Sequence, residues 1–460
     1  MKKKLAIAKF GGSLLDIEGK NIPKIIQRIT ELRSENDVGP IVVFSAPNGT
    51  TDRLIDIGQS YAQSSPISVD SIFEIYYKFI KLYVANKFQN KALKKIDNLK
   101  SLTIETLNSV NKRFSGNNRA RILTFGGEVA MSAIMNNIMK SNGFDSIQIP
   151  LVEWPIITDD GFDDASPNYA LSKKNRRVLL QHLENGKIIS LAGFLGVTSD
   201  GLETVLGRGG SDLTAVFLSC LLRKFFSIQT ILFKDIPIQS ADPKVVPKQS
   251  TDHITALTYN EAHKASMMGM KIVQYPAIAM ARRFSQPLII APFDNPEQYS
   301  IIKTQTTDDE VVKCITGKTG AAILSMNDEK SHTFEDSLRI WEKRNDFLDL
   351  GAETLETGIR IRDFLFLDSA FLRRNEEKLK GFDENLKIEY GLGVVTLIGD
   401  KMKNSPGVAS IAISSISGIN IKRGIFAPHT SQIIIVVDEK NVNPTVAAIH
   451  SKLYKLNQSK

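Results

Sequence analysis

The amino-acid sequence predicts an α/β protein: a three-layer αβα domain built on a mainly parallel sheet, followed by two smaller α+β modules. Three observations carry this. Twice near the start, a short apolar strand ends in small polar residues and gives way to a helix. In the middle, a strand, a glycine-rich turn and a helix follow one another. From about residue 311 the pattern becomes strand, helix, paired strands, met twice over. Alternating strand and helix signals a parallel sheet, because parallel neighbours need a crossover between them. At 460 residues the chain exceeds one ordinary core, so two or three domains are expected. Their bounds read as 1–305, with 66–118 a helical insertion or lid, then 311–385 and 387–460.

Leu5–Phe10 is the first strand candidate, followed at once by Gly11-Gly12-Ser13, with a helix near Pro23–Arg33. Pro40–Ala46 is the second, running into Asn48-Gly49-Thr50-Thr51-Asp52 and a helical pattern from Arg53. Ligands of such sheets collect beyond the carboxyl ends of the strands, where these loops lie. Lys9 closes the first strand and faces that layer; a lysine there is either solvated or a phosphate partner. Residues 66–118 read as helical, without evident chemistry. Arg121–Met139 reads as one helix whose first turn carries Gly126, Gly127 and Glu128. An acid among apolar residues is costly to bury alone, so Glu128 is either favoured by the helix dipole or a ligand for a substrate amine.

Gly193–Ala215 is the stretch around which the chain is organised. Lys187–Leu195 suits a buried strand, Leu206-Gly207-Arg208-Gly209-Gly210-Ser211-Asp212 a turn, and Leu213–Leu222 a helix. That order brings backbone N–H groups and a helix N-terminus to one point, which suits an anion. The glycines allow close approach, Ser211 or Asp212 can cap the helix, and Arg208 offers a rigid fork to a carboxylate or phosphate. The plainer reading is a glycine-rich loop with one solvated arginine. Gln229–Lys234 is a further strand, Ser240–Lys244 a turn and Tyr259–Gly269 a helix. Tyr275-Pro276 opens the next helix, and Pro287–Ala291 reads as the last strand of this domain.

The tail divides into Val311–Glu384 and Lys387–Leu456, the first with a helix over His332–Lys343. In the second, Gly393–Ile398 is a strand, Pro406–Ser417 a helix, Ile419–Ile425 and Gln432–Val437 strands, and Pro444–Leu453 a helix. Gly393–Gly407 spans a strand end and a helix N-terminus, a pocket suited to an amino acid.

Composition narrows the function. The net charge of +8 is dispersed, and the densest basic runs, Lys91–Lys100 and Lys173–Arg177, lack the aromatic residues of a nucleic-acid surface. Cys220 and Cys314 supply neither a disulfide framework nor metal-ligand spacing, as in a reducing cytosol. No apolar run approaches the roughly 20 residues that cross a bilayer. Lys9 interrupts the apolar run that follows the basic start, so no export signal is read and a cytoplasmic protein is expected.

These residues resemble the aspartokinases of the amino-acid kinase superfamily over nearly the whole chain. The likeness rests on Lys9-Phe10-Gly11-Gly12-Ser13, Ser45-Ala46 with Gly49-Thr50-Thr51, and Gly193-Phe194-Leu195-Gly196. It rests further on Leu206–Asp212, Ala241-Asp242-Pro243-Lys244 and Gly269-Met270-Lys271-Ile272-Val273. The tail resembles the family's paired ferredoxin-like ACT modules, through Gly399-Asp400-Lys401-Met402 and Pro406-Gly407-Val408-Ala409. The resemblance implies ATP-dependent phosphorylation of the side-chain carboxylate of L-aspartate, the first step towards lysine, threonine and methionine. It implies Lys9 and Asp212 as catalytic residues, Lys9 steadying the transferred phosphoryl group and Asp212 orienting rather than removing a proton. Gly11, Gly12, Ser13, Lys234, Asp235, Lys244, Lys271 and Ile272 are then the ATP contacts. Arg208 takes the α-carboxylate and Glu128 the α-ammonium, with Ser45, Thr51, Gly209 and Ser211 completing the aspartate site. Mg²⁺ is expected with ATP, without an assignable protein ligand.

Three departures stand out. Lys234-Asp235-Ile236-Pro237 lacks the usual glycine and aromatic, Tyr275-Pro276 replaces His-Pro, and two glycines rather than one precede Glu128. In the first module the charged turn Asn327-Asp328-Glu329-Lys330 replaces a glycine turn. Lysine or threonine is the implied effector, and a homodimer or higher homo-oligomer through the ACT modules the implied assembly. The modules could equally serve assembly alone. The competing readings are a glutamate 5-kinase or acetylglutamate kinase and, from another class, a non-catalytic amino-acid sensor.

Overall fold

The computed structural model describes residues 2–247, 250–341, 347–426 and 430–458. The chain forms two compact units, Met1–Pro237 with Val273–Thr304, and Ile238–Ile272 with Gln305–Lys460. The second therefore takes in a stretch that the sequence reading kept inside 1–305. The reason is burial: Ala241 and Val246 sit in one core cluster with Ile315, Val395, Ile435 and Ile449 of the tail.

The first unit begins β1 (Lys4–Phe10), α1 (Ile22–Glu35), β2 (Val38–Phe44), α2 (Thr50–Ala62), α3 (Asp70–Tyr83) and α4 (Asn86–Asn108). It continues α5 (Gly116–Thr124), α6 (Ala130–Ser141), β3 (Ser146–Gln148), α7 (Tyr169–Glu184), β4 (Ile188–Ala192), β5 (Leu195–Val197), β6 (Glu203–Val205), α8 (Gly210–Leu222) and β7 (Ser227–Lys234). After β8 (Ala256–Thr258) and α9 (Tyr259–Met267), which belong to the second unit, it is completed by α10 (Tyr275–Phe284), β9 (Leu288–Pro292) and β10 (Ser300–Lys303). Within the unit the strand order is β3-β4-β2-β1-β7-β9-β10. Every neighbour from β3 to β9 is parallel, and β10 turns back antiparallel on β9.

Strands buried on both faces read as continuous apolar runs, and β1 and β2 do: all of Leu5–Phe10 and all of Val38–Phe44 are buried. The order reverses between β1 and β7, since β2, β4 and β3 lie to one side and β9 and β10 to the other. Such a switch point opens a crevice at the carboxyl ends of the strands. Beneath it, Phe10 stacks on Phe44 and Phe233 with ring centroids 5.9 and 4.8 Å apart. All thirteen residues of α8 are buried, so this helix is a core element rather than an amphipathic cover. The short hairpin β5–β6 and the strand β10 are absent from the sequence expectations; each has only three or four residues.

The second unit ends with β11 (Cys314–Asn327), α11 (Asp328–Trp341), β12 (Phe347–Thr354), β13 (Arg360–Phe366), α12 (Ala370–Lys380), β14 (Lys387–Ile398), α13 (Val408–Ser415), β15 (Ile421–Ile425), β16 (Gln432–Asp438) and α14 (Val442–Gln458). This is the βαββα pattern twice. Glu342 and Lys343, the end of the helix expected over His332–Lys343, lie outside the described residues. The two repeats share one antiparallel sheet, β12-β13-β11-β14-β16-β15, joined at its centre by β11 and β14. Period-two alternation divides its faces. Ile433, Ile435 and Val437 pack with Ile449 and Leu453 of α14, while Ile434 and Val436 face the other way, with Val394, Ile323 and Met268.

Candidate active site

Lys9 is the penultimate residue of β1 and Lys234 the last of β7, so neighbouring parallel strands deliver two lysines to the switch point. Asp212 comes from the first turn of α8. Its two carboxylate oxygens are divided: Lys9 Nζ lies 2.8 Å from Oδ1, and Lys234 Nζ lies 2.8 Å from Oδ2. Burial pushes the Asp212 carboxyl up, but the Lys234 and Lys9 ammoniums outweigh it and hold the group at about 2. Burial and the charge of Lys234 lower the Lys9 ammonium, while Asp212 and Glu128 resist the change. The sequence offers Ser211 or Asp212 as the cap of α8; the structure corrects this. The cap position is Gly209, in the left-handed region with φ 73°, and no side chain caps the helix. Asp212 is committed to its lysines.

Around this ion cluster lie the glycine turns. A Cβ on Gly11 would come within 3.0 Å of Lys9 Nζ, so the loop after β1 passes directly over the lysine. The backbone amides of Gly12 and Ser13 have no acceptor among the described residues and remain free for an anion. Gly193 permits the approach of Ser211, whose Oγ would lie 2.6 Å from a Cβ at that position. Arg208 is exposed on the same turn.

Glu128 departs most from expectation. It is not in the first turn of a helix. Phe125–Val129 forms a π-helical turn between α5 and α6, with Gly127 at φ −113° and ψ −105°. The helix-dipole explanation therefore falls away, because the acid lies mid-helix. Both glycines are needed here: a Cβ on Gly126 would meet Leu54 at 2.9 Å, and one on Gly127 would meet Ala46 at 3.2 Å. Single π-turns inside helices recur at functional sites. Burial pushes the Glu128 carboxyl up to about 8, against the opposing pull of the Glu128 and Ala46 amides and the Lys9 ammonium. Its Oε2 is buried without a hydrogen-bond partner among the described residues.

A model of the amino acid kinase family matches residues 4–292. The chain belongs to the amino acid kinase family. It is similar along its length to the aspartokinase of Helicobacter pylori (strain ATCC 700392 / 26695), 23% identical over 470 residues that cover 99% of this chain and 100% of the relative. The aspartokinase of Corynebacterium glutamicum is 24% identical over 465 residues, covering 97% of this chain and 96% of the relative. Among solved structures, E. coli aspartokinase III in complex with aspartate and ADP matches with a TM-score of 0.80 at 19% identity, covering 98% of this chain and 99% of that one. That likeness extends the shared fold through the tail modules.

Within this amino acid kinase fold, Ser45 is half-buried just beyond β2, where its amide donates to Phe10 O at 3.2 Å. Thr51 is half-buried, but its neighbour Thr50 is fully buried, with a hydroxyl that has no partner among the described residues. Asp235 is exposed after β7. Lys244, Lys271 and Ile272 belong to the second unit, the two lysines exposed and Ile272 buried. The structure thus brings together Lys9, Gly11, Asp212 and Lys234. Sequence reasoning missed Thr50 and, more consequentially, Tyr76. The hydroxyl of Tyr76 donates to Gly126 O at 2.8 Å and Gly127 O at 3.0 Å. The available signal was a tyrosine inside the apolar stripe Ile72, Phe73, Tyr76, Phe79 and Ile80, since a buried tyrosine hydroxyl finds a partner.

Proposed function

We propose that this chain is an aspartate kinase, transferring the γ-phosphoryl group of ATP to the side-chain carboxylate of L-aspartate to give 4-phospho-L-aspartate and ADP. The single observation that carries the reading is the Lys9–Asp212–Lys234 cluster at the switch point. A carboxylate nucleophile needs no base, so the obstacle is the approach of two anions, which positioning and positive charge overcome. Asp212, held near 2, stays ionised and accepts no proton; it fixes two ammoniums at one place. Lys9 steadies the transferred group, and the free amides of Gly12 and Ser13 take phosphate oxygens. Glu128 receives the α-ammonium, and Arg208 the α-carboxylate. The names of the full-length relatives support aspartate as the acceptor.

Among the described residues, no group of three or more His, Cys, Asp or Glu could hold a metal ion. Mg²⁺ would be held chiefly by phosphate oxygens and water, as is usual with a nucleotide, where it neutralises phosphate charge. Lys244, Lys271 and Ile272 are the remaining proposed nucleotide contacts. The tail modules are proposed to join copies of the chain and to receive an amino-acid effector, lysine or threonine. In the first module Asp328 is already paired with Arg360 at 2.8 Å and Arg362 at 2.7 Å, which favours the second module as the effector site.

The test is hydroxylamine trapping of acyl phosphate with ATP and Mg²⁺, offering L-aspartate, L-glutamate and N-acetyl-L-glutamate in turn, with and without lysine or threonine. Hydroxamate from aspartate alone is expected. Turnover of either glutamate compound instead would move the chain to another acceptor, and no turnover together with no ATP binding by the folded protein in a titration would make it a sensor.

A further inference from the structure

We infer that Tyr76, in the helical insertion, is a positioning residue that sets the direction of Glu128 and so the affinity for the amino group of the acceptor. The inference rests on the aspartate kinase reading above. A π-turn widens the helix by one residue, leaving carbonyls without their normal i+4 donors. The Tyr76 hydroxyl reaches the carbonyls of Gly126 and Gly127, the two residues immediately before Glu128, the second of which also accepts from the Ala130 amide. Tyr76 is fully buried, so water cannot replace it. Gly127 is the residue with non-helical dihedrals, and the Tyr76 hydroxyl ties its carbonyl to α3. The insertion thus serves as a brace for the acid in addition to any covering role.

The titratable groups facing Glu128 are Lys9 from β1 and Tyr76 from α3. Lys9 is held by Asp212, so a change at Tyr76 acts on Glu128 without altering the ion cluster. The consequence is specific: loss of the strut disturbs recognition of the amino acid and leaves phosphoryl transfer and ATP binding nearly untouched.

The experiment compares wild type, Tyr76→Phe and Tyr77→Phe by steady-state kinetics from pH 6 to 9. Tyr77 is adjacent on the same helix, but its hydroxyl goes to Asp97. For Tyr76→Phe, the Michaelis constant for aspartate is expected to rise about tenfold, from loss of one well-placed polar contact. Its dependence on pH near 8 should move or flatten, while kcat and the constant for ATP stay within about twofold of wild type. Tyr77→Phe should behave as wild type. A purely structural role would lower the active fraction, and so kcat, at unchanged Michaelis constant and pH profile; that result overturns the inference. Wild-type protein inactive on aspartate but active on a glutamate compound would instead overturn the underlying reading.

Discussion

Asp212 and Glu128 are buried to the same degree, each 4% exposed, yet one carboxyl is held at about 2 and the other is raised to about 8. Desolvation acts on both in the same direction. The difference lies in the partners: Asp212 has an ammonium on each oxygen, whereas Glu128 has backbone amides, a weaker share of Lys9 and one oxygen with no hydrogen-bond partner among the described residues. One acid is finished within the protein, and the other, on the proposed reading, is completed by the ammonium of the substrate. Catalytic geometry that must be constant is built from the first kind of site, and recognition of a substrate ammonium from the second.

The largest expected effects break the finished site. Asp212→Asn should lower kcat by about 10²–10³-fold, the range for losing one preorganised electrostatic group. It should also cost about 3–5 kcal/mol of stability, because two lysines lose a buried counter-charge. Lys9→Ala should reduce turnover on a similar scale with little change in the Michaelis constant for aspartate. An unchanged kcat in either variant would remove the cluster from the mechanism.

Smaller effects sharpen the second site. Glu128→Gln should raise the Michaelis constant for aspartate about 10–100-fold, the range of a charge-assisted hydrogen bond, and abolish its pH dependence. Arg208→Ala should raise the same constant about tenfold, since an exposed guanidinium contributes less. If the ATP constant rose instead, the two substrate ends would be reversed.

The smallest effects concern stability, where the two acids act oppositely. The Asp212 pair stabilises the fold above the ordinary carboxylate range, and this is lost as pH falls towards 2. The Glu128 carboxyl, with its folded value raised, favours the fold most below about 4.5, and that advantage is lost as pH rises through 8. Thermal melting of Glu128→Gln and wild type should therefore diverge by several degrees in favour of the variant between pH 5 and 8. A gap independent of pH would show that Glu128 is ionised throughout.

Much of the first site was legible because it is written in local patterns. Lys9-Phe10-Gly11-Gly12 ends a continuous apolar run, and the glycine turn before α8 follows directly from its strand. What was not legible depends on distant contacts. Gly126-Gly127-Glu128 resembles a helix start when read locally, and only the packing of Leu54, Ala46 and Tyr76 makes it a π-turn. The pairing of Lys234 with Asp212 joins residues 22 positions apart across a helix and a strand. The membership of 238–272 in the second unit likewise follows from contacts with residues 60 or more positions away, as in Ile315 N to Ser240 O and Ser240 Oγ to His450.

The division between the two acids is tested most directly by the pH dependence of wild-type kinetics with aspartate, followed from pH 6 to 9. The account predicts a Michaelis constant for aspartate that falls as pH approaches 8 and then levels, because Glu128 must ionise to receive the ammonium. Over the same range kcat should show no step from Asp212, which is ionised throughout. A Michaelis constant independent of pH, with kcat titrating in that window, would contradict it.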